Sequence, residues 1–128
     1  MSPQKYLALA SLLTALAVIF GAFGAHALAQ RLDPYSLEVW HKANFYHFVH
    51  ALGLLIVTAL VPINMLNANA HRIAAILFVA GIFIFSGSLY LLALTGIKIL
   101  GAITPIGGLC FIAGWIFLAY KLIEKSPG

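Results

Sequence analysis

The chain has 128 residues, of which 63% are hydrophobic and only 8% charged. So little polar surface cannot coat a soluble domain of this size, which predicts an integral membrane protein folded as a single domain over 1–128. The formal net charge of +4 does not signal nucleic acid, because the seven Lys and Arg residues stand singly at the ends of apolar runs and read as interfacial anchors.

Four apolar stretches, at 6–28, 43–61, 73–95 and 99–120, are each long enough to cross a hydrocarbon core that needs roughly 20 helical residues. Lipid offers no partner for a backbone amide, and no stretch alternates as a membrane barrel strand does. The predicted fold is an all-α integral membrane protein with four transmembrane helices in an antiparallel bundle.

The first stretch follows Lys5 and carries Ala17, Gly21, Ala25 and Ala29 at four-residue spacing, a small stripe suited to close helix approach in lipid. Lys5, the apolar run and the triplets Ala25-His26-Ala27 and Ala27-Leu28-Ala29 also imitate a cleavable signal peptide. The pair Gly21 and Gly24 argues against that reading, and cleavage would leave three spans. Next, Asp33-Pro34 is an N-cap followed by proline in the first helical position, so a helix begins there and runs through Trp40 into the second span.

His41, Asn44, His47 and His50 recur every three residues, yet at about 100° per residue they do not share one face. His47 and His50, about 60° apart, can point into the bundle with His26. His41 and His71 are expected to be solvated at the interface. Pro62-Ile63-Asn64, Asn67 and Asn69 mark a polar turn before the third span, which carries Phe85-Ser86-Gly87-Ser88-Leu89-Tyr90. The short link Thr95-Gly96-Ile97-Lys98 forces a tight antiparallel hairpin. In the fourth span Pro105 removes one amide and frees the carbonyl of Gly101, and the Thr104 hydroxyl is placed to resatisfy the backbone, so a kinked, cavity-forming helix is expected. Cys110 is expected to be a buried, inert thiol, and as the single cysteine it forms no intrachain disulfide.

Lys5, Arg72, Lys121 and Lys125 fall on one side of such a bundle and Arg31, Lys42 and Lys98 on the other, which favours both termini in the cytoplasm. Insertion in both orientations stays open on so small a margin. Helix rise then places His26, His47, His50, Ser86, Ser88, Tyr90 and Thr104 in the half of the bilayer away from the termini. Unpaired polar groups in hydrocarbon cost several kcal/mol by order of magnitude, so these side chains are expected to converge. Gly21, Gly24, Gly87, Gly101, Pro105, Gly107, Gly108 and Gly114 are assigned to helix packing and the kink.

None of the acidic residues, Asp33, Glu38 and Glu124, lies in a span, which disfavours a proton-coupled antiporter. A phosphate-cradling loop and a Cys or carboxylate metal cluster are missing, and a serine–histidine dyad at Ser86 would have little room to shield a substrate. The leading expectation is a small membrane scaffold or binding protein without cofactor or metal, whose partners are the lipid bilayer and either further copies of itself or other membrane helices. Two alternatives are a channel or transporter for a small solute, and a haem or transition-metal protein ligated by His26 and His50, with His47 as a further ligand.

Taken together, Gly21-Ala22-Phe23-Gly24-Ala25-His26, Tyr46 with His50, Phe85-Ser86-Gly87-Ser88-Leu89-Tyr90, Thr104-Pro105-Ile106-Gly107-Gly108 and Gly114-Trp115 resemble the domain of unknown function 423 family, which includes the eukaryotic transmembrane protein 256. The resemblance covers nearly the whole chain and implies four membrane helices, with bacterial members in the inner membrane. It implies no established activity. In that family's pattern His26 and His50 match histidines, and glutamine can stand in place of His47.

Overall fold

Capping chemistry sets the helix boundaries in the computed structural model, which describes residues 1–125. Helix α1 (Pro3–Ala25) opens on Ser2, whose side chain accepts from the Lys5 amide, with Pro3 in the first turn. It closes at His26, short of the expected end at 28, and the chain tightens into a 3-10 turn over Leu28–Gln30. Asp33 then caps α2 (Pro34–Ala59), its Oδ1 accepting from the Ser36 amide at 2.7 Å, and Pro34 occupies the first turn. As the Asp-Pro signal requires, α2 runs unbroken through Trp40. Its 26 residues span about 39 Å, ample to cross a membrane.

After α2 the chain reverses through Asn64, which takes the left-handed backbone (φ 60°), and Asn67 caps α3 (Ala68–Gly81) by accepting from the Ala70 amide at 2.8 Å. A π-helical segment, Ile82–Ser86, joins α3 to α4 (Gly87–Thr95) in one continuous rod. Gly96, at φ 72°, ends that rod in a left-handed cap with its N–H on the Leu92 carbonyl at 2.8 Å. The tight hairpin read from Thr95–Lys98 is thus formed, and α5 (Leu100–Lys125) returns without interruption at Pro105.

Three helical stretches are long and apolar enough to cross a membrane: Pro3–Gln30, Ala68–Thr95 and Leu100–Lys125. The fourth long helix, α2, is not apolar enough, and its place in the bundle gives the reason. It packs on α1, α3, α4 and the π-segment, and Trp40, His47, His50 and Thr58 are buried along it. The helix with the most polar side chains turns those four toward its neighbours, while Phe45, Leu52 and Ile56 keep its outer face apolar.

The tightest contact lies between the π-segment and α5. A Cβ added to Gly107 would stand 2.7 Å from the Cα of Phe85 and closer still to its amide nitrogen, so backbone meets backbone with no room for a methyl group. At two other glycines an aromatic ring takes the space: a Cβ on Gly114 would stand 2.7 Å from the Phe78 ring, and one on Gly81 would run into the Phe111 ring. Gly53 and Gly81 were not among the glycines singled out from sequence, and both prove to be packing sites. Gly101 is loose, with only Leu92 Cδ2 at 3.7 Å, and Gly87 touches no more than the Ile82 carbonyl at 4.0 Å, so the packing role assigned to these two does not hold.

Gly107→Ala is therefore expected to lower stability by about 1–3 kcal/mol, the usual cost of overpacking. Gly101→Ala, which gains helix propensity and meets no clash, should be neutral or slightly stabilising. Thermal unfolding of both variants in detergent micelles, followed by circular dichroism, checks the contrast.

Candidate functional site

The polar side chains of α2 reach the backbone of α1 in a regular way. Trp40 Nε1–H donates to the Phe20 carbonyl at 2.8 Å, Asn44 Nδ2–H to the Ala17 carbonyl at 2.7 Å, and His47 Nε2 meets the Leu13 carbonyl at 2.9 Å. The donors advance by four and three residues as the acceptors retreat by three and four, the register of two antiparallel helices in contact. A carbonyl cannot donate, so His47 Nε2 carries the proton. Each acceptor also has a small residue four positions later, Ala17, Gly21 or Gly24. A helical side chain leans over the turn before it, so a large one there would cover the carbonyl. A Cβ on Gly24 would come within 2.7 Å of the Trp40 ring, and one on Gly21 within 3.0 Å of Asn44 Oδ1.

Tyr90 closes the network from α4. Its hydroxyl lies 2.9 Å from His47 Nδ1 and accepts from Asn44 Nδ2 at 3.2 Å. With Nε2 protonated, a neutral His47 accepts from Tyr90 at Nδ1, and every donor in the set has one acceptor. Phe20, Trp40 and Tyr90 pack their rings around it at centroid distances of 4.6 to 5.6 Å.

His50 belongs to a different contact. Its Nδ1 donates to the Tyr46 carbonyl at 2.7 Å, and its Nε2 accepts from Trp115 Nε1–H on α5 at 2.9 Å. Indole only donates, so this tautomer is fixed and is opposite to that of His47. The imidazole also stacks on Phe111, with centroids 3.5 Å apart and planes within 10°. Between α4 and α5, Ser88 and Thr104 share a hydrogen bond of 2.6 Å. Toward the other end of the bundle, Thr58 Oγ1 donates to Leu54 and accepts from His71 Nε2 at 2.9 Å, and Tyr6 packs edge-on against that imidazole.

These contacts correct the expected single cluster. His47 and Tyr90 meet, as do Ser88 and Thr104, but His50 turns away toward Trp115 and His26 joins nothing. His26 lies beyond the last turn of α1 with its side chain exposed. Ser86 is fully buried in the π-segment, and its hydroxyl has no partner among the described residues; nothing in the structure explains it. His71, expected in solvent, is buried and bonded to Thr58 because α1 covers it through Tyr6. His41 is exposed as expected, and Cys110 is partly exposed, not buried. Pro105 leaves α5 helical and lines a cavity, and Thr104 donates no bond to the freed Gly101 carbonyl, reaching Leu100 instead at 3.2 Å. Of the small stripe, Ala17 and Gly21 pack, whereas Ala25 is exposed at the helix end and Ala29 lies past it. Trp40, Asn44, Thr58 and Trp115 were missed as site residues. For Trp40 and Asn44 the signal is the 4-3 spacing with His47 opposite small residues of α1.

The sequence model of the family described as protein of unknown function (DUF423) matches residues 20–108. A UPF0382 membrane protein of Staphylococcus haemolyticus is 49% identical over 115 residues, covering 90% of this chain and 92% of its own. The UPF0382 membrane protein YwdK of Bacillus subtilis is 43% identical over 121 residues, 94% of this chain and 98% of its own. No solved structure matches.

The ladder makes a stability prediction. His47→Leu removes two interhelical bonds and leaves the Tyr90 hydroxyl proton without its acceptor, so it should cost about 1–2 kcal/mol. His47→Gln, which keeps an amide able to donate to Leu13, should cost less. In the His47→Leu background, Tyr90→Phe should cost markedly less than in the parent chain, because the hydroxyl then has only its bond from Asn44 left to lose. Unfolding midpoints of the four variants and the parent in one detergent test the coupling.

Proposed function

The chain belongs to the family of membrane proteins described as protein of unknown function (DUF423), and within it we propose that this member is a small non-catalytic membrane scaffold. In this reading α2 is the fourth transmembrane helix, the protein sits in the bacterial inner membrane with both termini cytoplasmic, and it self-associates or packs against partner helices. The bias of Lys5, Arg72, Lys121 and Lys125 toward the end that holds the N-terminus supports the orientation. The burial of the polar side chains of α2 supports its spanning, since they no longer count against insertion.

One observation carries the reading: both ring nitrogens of His47 and of His50 are already bonded inside the bundle. A general base needs a free lone pair near a substrate, and His50 spends its own on Trp115. The same bonds do not fit a haem or a transition metal, which would need Nε2 freed from the Leu13 carbonyl or from the Trp115 indole. His26 is the exposed member of the set. A solute path is opposed by the packing between the two polar ends, where Leu54, Val57 and Phe78 are fully buried and fill the interior.

Two measurements on protein purified from native membranes test this. The scaffold reading expects no Soret absorption and no stoichiometric metal by mass spectrometry, together with a ladder of crosslinked species above the monomer. A Soret band or a bound metal would replace it with the cofactor reading, and a strictly monomeric band at every concentration would remove self-association.

A further inference from the structure

The α2 and α5 helices both lean on α4 and the π-segment, and the gap between them forms a groove in two parts. The first, a cavity of about 380 Å³, is lined by Glu38, Lys42, Leu89 and Pro105, of which Leu89 is buried and the other three exposed. The second, about 410 Å³, continues along Val49 and Ile112 to Trp115. Phe85 lines both, so they meet over its ring. Gly101 and Gly108, one in each part, keep the α5 wall low.

Glu38 and Lys42 stand four residues apart on one exposed helix face, in the order that favours an ion pair. They form none, with each other or with any other described residue; the ion pair among those residues is Lys121–Glu124. A carboxylate and an ammonium held side by side at the bilayer interface complement a ligand carrying the opposite two charges. From Lys42 the groove runs inward to the level of His50, eight residues or about 12 Å along α2. That is close to the depth of one leaflet of a hydrocarbon core about 30 Å thick.

We propose that this groove seats one acyl chain of a zwitterionic phospholipid, its phosphate on Lys42 and its headgroup ammonium on Glu38. In a bilayer the chain itself gains little by leaving other lipid tails, so preference comes from the headgroup pair. An anionic headgroup satisfies Lys42 and is repelled by Glu38. The site is independent of any scaffold role and of oligomeric state.

Bromine on lipid tails quenches nearby tryptophan, and of the two tryptophans Trp115 is 41% exposed at the groove's inner end while Trp40 is 4% exposed. The full chain is reconstituted in phosphatidylglycerol vesicles containing a small, equal mole fraction of either brominated phosphatidylethanolamine or brominated phosphatidylglycerol. Phosphatidylethanolamine should quench with about two- to fivefold higher apparent affinity, the factor an exposed ion pair supplies. Glu38→Gln should abolish that preference, Lys42→Gln should weaken both lipids, and Gly108→Leu should lower quenching by either lipid by filling the groove. Equal quenching by the two lipids in the parent chain, a preference for phosphatidylglycerol, or a preference that survives Glu38→Gln would each overturn the proposal.

Discussion

The structure depends on one constraint: a polar side chain in a membrane bundle must find its partner within the protein. Here the partners are mostly backbone carbonyls. Trp40, Asn44 and His47 draw on the carbonyls of Phe20, Ala17 and Leu13, each of which already accepts a bond inside α1 and has a second lone pair to offer. Such an acceptor is reachable only if the side chain one turn on is small. The glycines of α1 thus do more than let two helices approach; they uncover the atoms that α2 binds.

The arrangement divides labour among the helices. Those stretches apolar enough to insert by composition alone, Pro3–Gln30, Ala68–Thr95 and Leu100–Lys125, meet the inner face of the one that is not, whose outer face carries Phe45, Leu52 and Ile56. The bonded polar groups of α2 are shared among its neighbours: Trp40, Asn44 and His47 answer α1, with Tyr90 of α4 joining in, His50 answers α5 and Thr58 answers α3. Since these bonds are directional, they fix the rotation of α2 about its axis, which apolar packing in lipid would leave weakly defined. The π-segment contributes in a different way, pressing the Phe85 backbone onto Gly107 so that the rod from α3 to α4 and the return helix α5 are in contact without side chains between them.

Much of this was legible in the sequence. Asp33-Pro34 announces a helix start and the short Thr95–Lys98 link a hairpin, and the structure has both; Asn67 and Asn69, read as part of a polar turn before a span at 73–95, instead cap and open α3, which starts at Ala68. Level along the helices was legible in part, since His47 meets Tyr90 and Ser88 meets Thr104. Azimuth was not: His47 and His50 differ by a rotation small enough to suggest one site, yet α1 and α5 stand on either side of α2 and divide them. His26 misled for another reason, since nothing in Gly24-Ala25-His26 indicates that α1 stops at Ala25 and leaves the imidazole outside. His71 was placed in solvent because it follows polar Asn67 and Asn69, and only the packing of Tyr6 from the far end of the sequence covers it.

Whether α2 is locked by bonds of fixed direction is read most directly from the imidazole protons. Nitrogen-15 spectra of histidine-labelled protein in lipid bilayers, assigned with His47→Gln and His50→Gln variants, distinguish the two neutral tautomers from each other and from the cation. The bonds of the two rings require opposite neutral tautomers, with the proton on Nε2 in His47 and on Nδ1 in His50. The same tautomer at both sites, rapid exchange between tautomers, or a protonated ring at either one under conditions where the bundle is folded would contradict a locked α2.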